Sequence, residues 1–298
     1  MSQTTHGLHV VAQTPFQTDG AVDRASIATL SAFYYRHGAR GLTVLGVSGE
    51  AQTLTPDEAV AVASCFVAAS EGRAIFAGVS SPNLAILAEI AGQVMAEGAR
   101  GVMIAPAASA RTDEALFSYF DAVFSRIGDV PTVLQDFPAA SGVQMSVPAM
   151  AKLVALFPQI RVIKEEDLPS ARKVAALRKA LPDHVQILTG NNGLYLPQEL
   201  ARGADGPMAG FSYPEMLSGV DKLMREDGNV AGAHALFNRY LPLLKHEAQG
   251  ALGIALRKES MRRRGALATA TMRAAGGTLD DADIAELDSI VAHMDLPT

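Results

Sequence analysis

The chain has very little cysteine and no long apolar run. Cys65 is the one cysteine among 298 residues, which excludes an intrachain disulfide and most thiolate metal sites. No window approaches eighteen consecutive apolar residues, and the start, MSQTTHGLHVVAQTPF, lacks the basic segment and long apolar core of a secretory signal. We therefore expect a cytoplasmic protein that does not bind a membrane.

An excess of positive charge is also absent. The chain has 25 basic and 31 acidic residues, a net charge of −6, so it has no general attraction to nucleic acid. The basic run Arg257–Arg264 lies on a predicted helix that ends before Gly265, where cations stabilise a helix C-terminus. The seven histidines lack the spacing of metal ligands, and no phosphate-binding loop or Ser-His-Asp signature occurs. We predict no metal, no cofactor and no nucleic-acid partner.

A short phrase recurs where helices are predicted to end. The sequence reads HGARGLTVLG from residue 37, EGARGVMIAP from residue 97 and, more loosely, RGADGPMAGF from residue 202. The first glycine of each phrase (Gly38, Gly98 and Gly203) suits the left-handed residue that ends a helix, and the second leads into a strand. One helix-to-strand joint is therefore used repeatedly.

Eight short apolar runs are each followed by a segment with helical periodicity. They lie near residues 8–12, 41–45, 74–79, 101–105, 131–135, 160–164, 185–189 and 206–210. Strands without a polar face indicate a parallel sheet, and eight such units predict an α/β fold, a closed (β/α)8 TIM barrel, over residues 1–225. The alternative is an open doubly wound sheet, but no Gly-x-Gly-x-x-Gly opens the first unit. Residues 226–298 predict a C-terminal extension of three helices packed on the barrel.

The sixth apolar run ends in a lysine, within VIKEED at residues 162–167. Active sites of TIM barrels lie at the C-terminal ends of the strands, and alternation places Val162, Lys164 and Glu166 on one face. Desolvation at the barrel mouth disfavours the ammonium form, so the amine can attack a ketone and form an imine that acidifies the neighbouring carbon. One hypothesis is class I aldolase chemistry; the other is a strand-end lysine that reaches solvent among counter-charges.

Several segments, in their order along the chain, resemble the dihydrodipicolinate synthase and N-acetylneuraminate lyase family of Schiff-base barrels. They are TPF at 14–16, GVSGEAQTLTPDE at 46–58, QDFPAASG at 135–142, VIKEED at 162–167, TGNNG at 189–193 and GADGPMAG at 203–210. The resemblance covers essentially the whole chain. It implies a lyase that acts on a small 2-oxo acid and assembles as a homotetramer, a dimer of dimers.

The resemblance also implies roles for individual residues. Lys164 falls on the family's imine-forming lysine, and the hydroxyl of Ser48 and backbone N–H groups near Gly49 would hold the pyruvate carboxylate. Glu166 is our candidate for proton transfer, with a solvated rim carboxylate as the alternative, and Asp136 is a weaker candidate. The expected substrate-binding residues are Val47, Ser48, Gly49, Gln135, Gly190, Asn191 and Met208.

The chain departs from the family's synthases at the positions that handle protons. Two tyrosines and a threonine form their relay, and the matching residues here are Gln135, Ala108 and Val47; an amide is neither an acid nor a base at neutral pH. Ala140 stands where the synthases bind the second substrate's carboxylate with an arginine. These departures favour a pyruvate-type aldolase or a dehydratase of 2-keto-3-deoxy sugar acids. Dihydrodipicolinate synthesis from pyruvate and aspartate semialdehyde, and a non-catalytic 2-oxo acid sensor, stay open.

Overall fold

The eight apolar runs form eight parallel strands in a computed structural model that describes residues 6–294. Each strand pairs with the next along the chain, and the eighth pairs with the first, so the sheet closes into a barrel. The predicted TIM barrel is therefore confirmed. The strands are β1 (His9–Val11), β2 (Gly41–Val44), β3 (Ala74–Gly78), β4 (Gly101–Ile104), β5 (Thr132–Asp136), β6 (Ile160–Glu165), β7 (Gln186–Thr189) and β8 (Gly206–Ala209).

Helices connect the strands and surround the barrel. They are α1 (Arg24–Arg36), α2 (Pro56–Ala68), α3 (Leu84–Ala96), α4 (Asp113–Ile127), α5 (Pro138–Ser141), α6 (Val147–Leu156), α7 (Ser170–Ala180), α8 (Leu196–Leu200) and α9 (Pro214–Arg225). Among the described residues after 226, three more helices follow: α10 (Val230–His246), α11 (Gly250–Arg263) and α12 (Asp281–His293). The division of the chain into 1–225 and 226–298 stays a prediction.

The repeated joint has the predicted geometry. Gly38, Gly98 and Gly203 have φ values of +94°, +103° and +98°. Residues other than glycine rarely adopt this backbone conformation. A Cβ at Gly38 would also lie 2.6 Å from the hydroxyl oxygen of Ser218. Glycine is thus required here both by the backbone conformation and by close packing.

Strand alternation divides the barrel into an inner and an outer layer. The inner layer is a cluster of buried side chains: Val11, Phe76, Met103, Val133, Val162, Leu188 and Met208. Ile163, one residue after Val162, packs in the larger outer layer between sheet and helices. The predicted alternation along β6 is confirmed, and Lys164 therefore follows Val162 on the inner face.

The basic run on α11 differs from the prediction in its first two residues. Arg262 and Arg263 lie in the last turn of α11 as expected, but Arg257 and Lys258 are buried. Lys258 Nζ donates to Glu50 Oε1 at 2.6 Å and to the carbonyl of Thr271 at 2.9 Å. The charge of Lys258 therefore compensates a buried carboxylate of the barrel, and α11 is fastened to the loop after β2.

The buried pair of Lys258 and Glu50 gives a stability prediction. Replacing Lys258 with Met should lower the free energy of unfolding by about 3–5 kcal/mol, because Glu50 is left as an uncompensated buried charge. Denaturant unfolding followed by circular dichroism measures this loss. The control is Lys222→Met, which removes an exposed partner of Asp227 and should leave the denaturant midpoint of unfolding unchanged. The double variant Glu50→Gln/Lys258→Met should recover part of the loss; a single Lys258→Met variant as stable as the wild type would contradict this view of the pair.

Candidate active site

Lys164 is buried at the mouth of the barrel. It is the fifth residue of β6, faces inward and is 4% exposed. Its Nζ lies 3.2 Å from Oε2 of Glu166, which is the residue two positions further on the same face. The inner apolar layer lies below this pair, and Met208, a predicted substrate-binding residue, is a fully buried member of that layer.

The carboxylate of Glu166 is held by donors from three strand ends. Besides Lys164, Nε2 of Gln135 at the end of β5 donates to Glu166 Oε2 at 2.8 Å. The backbone N–H of Asn191, after β7, donates to Glu166 Oε1 at 3.4 Å. Glu166 is 8% exposed, so it is a buried carboxylate paired with the lysine rather than a solvated rim acid.

Gly190 and Asn191 both contact Glu166. A Cβ at Gly190 would lie 2.3 Å from Glu166 Oε1, so a side chain at position 190 would displace the carboxylate. Asn191 Nδ2 donates to the backbone carbonyl of Glu166 at 3.2 Å. The sequence suggested that these two residues bind substrate; the geometry gives each a part in positioning Glu166.

A strained turn after β2 carries Val47, Ser48 and Gly49. Leu45 and Glu50, on either side of it, have φ values of 57° and 53°, and such strain is concentrated at functional sites. The N–H of Gly49 donates to the carbonyl of Gly46 at 3.0 Å within the turn. The N–H of Gly49 is therefore engaged in the turn itself, and the use of other backbone N–H groups of the turn as donors to a substrate carboxylate stays a prediction. Val47 is half exposed.

Ser48 is connected to a buried ion pair in the C-terminal extension. Arg257 Nη1 donates to Ser48 Oγ at 3.1 Å, and Arg257 Nε donates to Glu247 Oε2 at 3.1 Å. Glu247 also accepts from the N–H of Ser212 at 3.2 Å. Because the serine oxygen accepts from arginine, its own O–H is left to donate to an anion. Sequence reasoning missed Arg257, which is 209 residues from Ser48 and has no local spacing that links the two.

A second group of charges lies on the opposite face of the same strand ends. Lys173 Nζ lies 2.5 Å from Asp136 Oδ2 and 2.8 Å from Asp167 Oδ2. Asp136 pairs with Glu165 across β5 and β6, whereas Gln135 pairs with Lys164. Asp136 therefore points away from the lysine, and its weaker candidacy as the proton-transfer group is wrong.

Two buried acids of this outer group, Glu165 and Asp136, have raised pKa values. Burial, reinforced by the neighbouring Asp136, raises the pKa of Glu165 to about 10, so Glu165 is neutral at pH 7. Burial also raises the pKa of Asp136, against the opposing effect of Lys173. Adjacent residues 165 and 166 thus have different environments, and Glu166 is the acid in contact with Lys164.

Two further observations concern metals and membranes. Within residues 6–294, no cluster of three or more histidine, cysteine, aspartate or glutamate side chains has an arrangement suited to a metal ion. In the same part of the chain, no helix combines the length and the apolar character needed to cross a bilayer.

Comparisons with known proteins agree with the barrel fold. Residues 4–294 match the sequence model of the dihydrodipicolinate synthetase family. A 4-hydroxy-tetrahydrodipicolinate synthase of Synechococcus sp. (strain CC9605) is 30% identical over 251 residues, which cover 82% of this chain and 82% of that protein.

Solved structures extend the similarity to three dimensions. The crystal structure of dihydrodipicolinate synthase from Rhodopseudomonas palustris is 39% identical with a TM-score of 0.93 and covers 97% of each chain. YagE, an E. coli K12 prophage protein of the dihydrodipicolinic acid synthase family crystallised with pyruvate, shares the fold at 22% identity, with a TM-score of 0.89 over 98% of this chain and 99% of that one. The chain therefore belongs to the dihydrodipicolinate synthetase family, whose members are lyases of the class I aldolase type.

Proposed function

We propose that the protein is a lyase that forms a Schiff base between Lys164 and a 2-oxo acid. The observation that carries the proposal is the buried Lys164 amine, 3.2 Å from the buried Glu166 carboxylate at the C-terminal end of a barrel strand. Lys258 is also buried and paired with a carboxylate, but Lys164 lies where the active sites of TIM barrels lie, so we assign a chemical role to Lys164. The pyruvate bound to YagE supports a 2-oxo acid as the substrate.

The reaction begins with attack of the Lys164 amine on C2 of the 2-oxo acid. Glu166 takes one proton from the Lys164 ammonium to free the attacking amine, and the nitrogen passes a second proton to the former carbonyl oxygen during the attack. Glu166 then returns the first proton to that hydroxyl, which leaves as water and gives the protonated imine. The protonated imine acidifies C3, and Glu166 then takes a C3 proton to give an enamine. The enamine either adds to an aldehyde, which forms a carbon–carbon bond, or expels a hydroxyl from C4. Gln135 transfers no proton, and its amide orients the carboxylate of Glu166.

Ser48 is our candidate for holding the substrate's carboxylate. Its oxygen accepts from Arg257, so the O–H can donate to the anion, and a hydrogen bond to a charged acceptor is roughly twice as strong as a neutral one. Val47 and Gly49 shape the same turn. Arg257 is a positioning residue in this arrangement, since it acts through Ser48.

An imine between Lys164 and a 2-oxo acid is compatible with more than one overall reaction. The relatives are named as synthases, but Gln135, Ala108, Val47 and Ala140 replace the tyrosine-threonine relay and the arginine of that reaction. We therefore propose a pyruvate-type aldolase or a 2-keto-3-deoxy acid dehydratase, with dihydrodipicolinate synthesis and a 2-oxo acid sensor as the alternatives. The homotetramer implied by the resemblance stays a prediction.

Reductive trapping tests the imine directly. After incubation with pyruvate and reduction with borohydride, peptide mass spectrometry should find the adduct on Lys164, because the reduced imine is stable to hydrolysis. Lys164→Ala should abolish the adduct, and the other lysines of the wild-type protein serve as internal controls. Folded protein that gives no adduct with pyruvate or with 2-keto-3-deoxy acids would refute the proposal.

Exchange of the C3 protons of pyruvate tests Glu166. In D₂O, wild-type protein should exchange these protons, and Glu166→Gln should slow the exchange by about 10²- to 10⁴-fold, because the amide keeps the size but loses the base. Proton NMR of pyruvate measures the rate. The matched control is Glu165→Gln, which replaces a neighbouring carboxyl that is neutral at pH 7; it should leave the exchange rate unchanged. Wild-type exchange in Glu166→Gln would assign the base elsewhere.

A double-mutant cycle tests the contact of Ser48 with Arg257. Ser48→Ala and Arg257→Lys should each raise the pyruvate concentration for half-maximal C3 exchange by about tenfold or more, as expected for a lost hydrogen bond to a charged group. Because Arg257 acts through Ser48, the double variant should be no worse than Ser48→Ala alone. The maximal exchange rate should change little in all three. Additive losses would show that Arg257 acts by another route.

A further inference from the structure

A cavity of about 630 Å³ opens beside the lysine site. It lies between the C-terminal ends of β2–β5 and the helices α2 and α3. Gln135, which donates to Glu166, and Val47, next to Ser48, both belong to its wall. The cavity is therefore an extension of the proposed 2-oxo acid site, with a volume typical of small-molecule pockets.

None of the described side chains in the wall carries a charge. Most of the wall is made of small or apolar residues, among them Ala51, Leu54, Ile86, Ile90, Ala105 and Phe137. A carboxylate or phosphate placed there would lose its hydration without gaining a counter-charge, which is strongly unfavourable. The cavity thus selects against an anionic ligand.

The hydroxyl groups of the wall are already engaged with the backbone. Thr55 Oγ1 accepts from the N–H of Glu58 at 3.2 Å, as part of the capping box of α2. Ser80 Oγ accepts from the N–H of Ala105 at 2.9 Å, and Ser141 Oγ donates to the carbonyl of Phe137 at 3.1 Å. These groups stabilise loops and a helix start, but Thr55 and Ser80 act there as acceptors, so each keeps an O–H that can donate to an uncharged polar group of a ligand.

The loop after β5 places Ala140 at a position where a charged side chain would lie close to a bound ligand. Ala140 lies in the wall, whereas its exposed neighbour Ala139 does not. Arg111, on the loop after β4, lies outside the wall and donates through Nε to the carbonyl of Ala108 at 3.0 Å. The structure therefore has no cation at position 140, and the tail of a ligand meets a methyl group there.

We infer that this cavity takes the substrate's tail, and that the tail is uncharged. The substrate is then a 2-oxo acid whose chain beyond C3 carries neither a carboxylate nor a phosphate. This inference rests on the proposed function, because Lys164 must hold the 2-oxo acid head. It adds the chemical class of the remaining part of the molecule, an uncharged tail.

The test compares 2-oxo acids that differ at the end of the chain. 2-Oxohexanoate and 2-oxoadipate both have six carbons, but the first ends in a methyl group and the second in a carboxylate. The readout is the concentration of each acid that half-saturates reductive trapping on Lys164, which does not depend on the overall reaction. We expect a value at least about tenfold lower for 2-oxohexanoate than for 2-oxoadipate, since the second acid buries an unpaired charge.

Two variants at neighbouring positions test whether the cavity wall is in contact with the substrate's tail. Ala140→Arg places a cation in the wall and should reduce or reverse the preference for 2-oxohexanoate. Ala139→Arg adds the same charge to the same exposed helix outside the wall and should leave the preference unchanged. Pyruvate, which has no tail, should be trapped equally well by both variants.

The outcomes separate this inference from the proposed function. If pyruvate is trapped on Lys164 but 2-oxoadipate binds as well as 2-oxohexanoate, the inference is wrong and the Schiff-base lyase stands. Equal responses of Ala140→Arg and Ala139→Arg would likewise overturn it, because the wall would then not be in contact with the tail. If pyruvate itself is not trapped, the proposed function fails first.

Discussion

The ion pair between Lys164 and Glu166 is the interaction on which the rest of the site depends. Burying two charges is unfavourable unless their remaining hydrogen-bonding groups are satisfied. Gln135 and the N–H of Asn191 supply the additional donors to the carboxylate, and Gly190 has no side chain to displace it. Strands β5, β6 and β7 are neighbours in the barrel, so these groups converge without a long loop. The closed parallel sheet therefore brings the buried amine and the buried carboxylate together.

The period of two along β6 separates two sets of acids. Glu166 faces the inside of the barrel with Lys164, while Glu165 faces the helices with Asp136 and Lys173. Burial makes Glu165 neutral at pH 7, so the outer group joins strand ends to α7 without a second excess of negative charge. The outer set has its own counter-charge in Lys173. Adjacent glutamates can have unrelated roles for this reason.

The sequence was sufficient for the barrel because local signals repeat with each unit. Apolar runs, helix caps and left-handed glycines such as Gly38 each depend on a few neighbouring residues, so they could be read without tertiary information. Alternation also placed Lys164 and Glu166 on one face. Asp136, the weaker candidate, directly follows Gln135 in β5, so alternation places the two on opposite faces and Asp136 pairs with Glu165 in the outer group. The tertiary partner of Lys258 was out of reach because Glu50 is 208 residues away.

The strained turn and the C-terminal extension are physically one unit. Arg257 and Lys258 are adjacent on α11, and successive helix residues point in different directions. Arg257 contacts Ser48 and Lys258 contacts Glu50, two residues further along the loop after β2. Glu50 has a left-handed backbone, and its carboxylate also accepts from the N–H groups of Arg273 and Ala274. A strained conformation persists where its surroundings over-determine it, and here those surroundings come from residues after 250. A boundary that is clear in the hydrophobic pattern near residue 225 therefore does not divide the site, since the barrel's own loop is held by the extension.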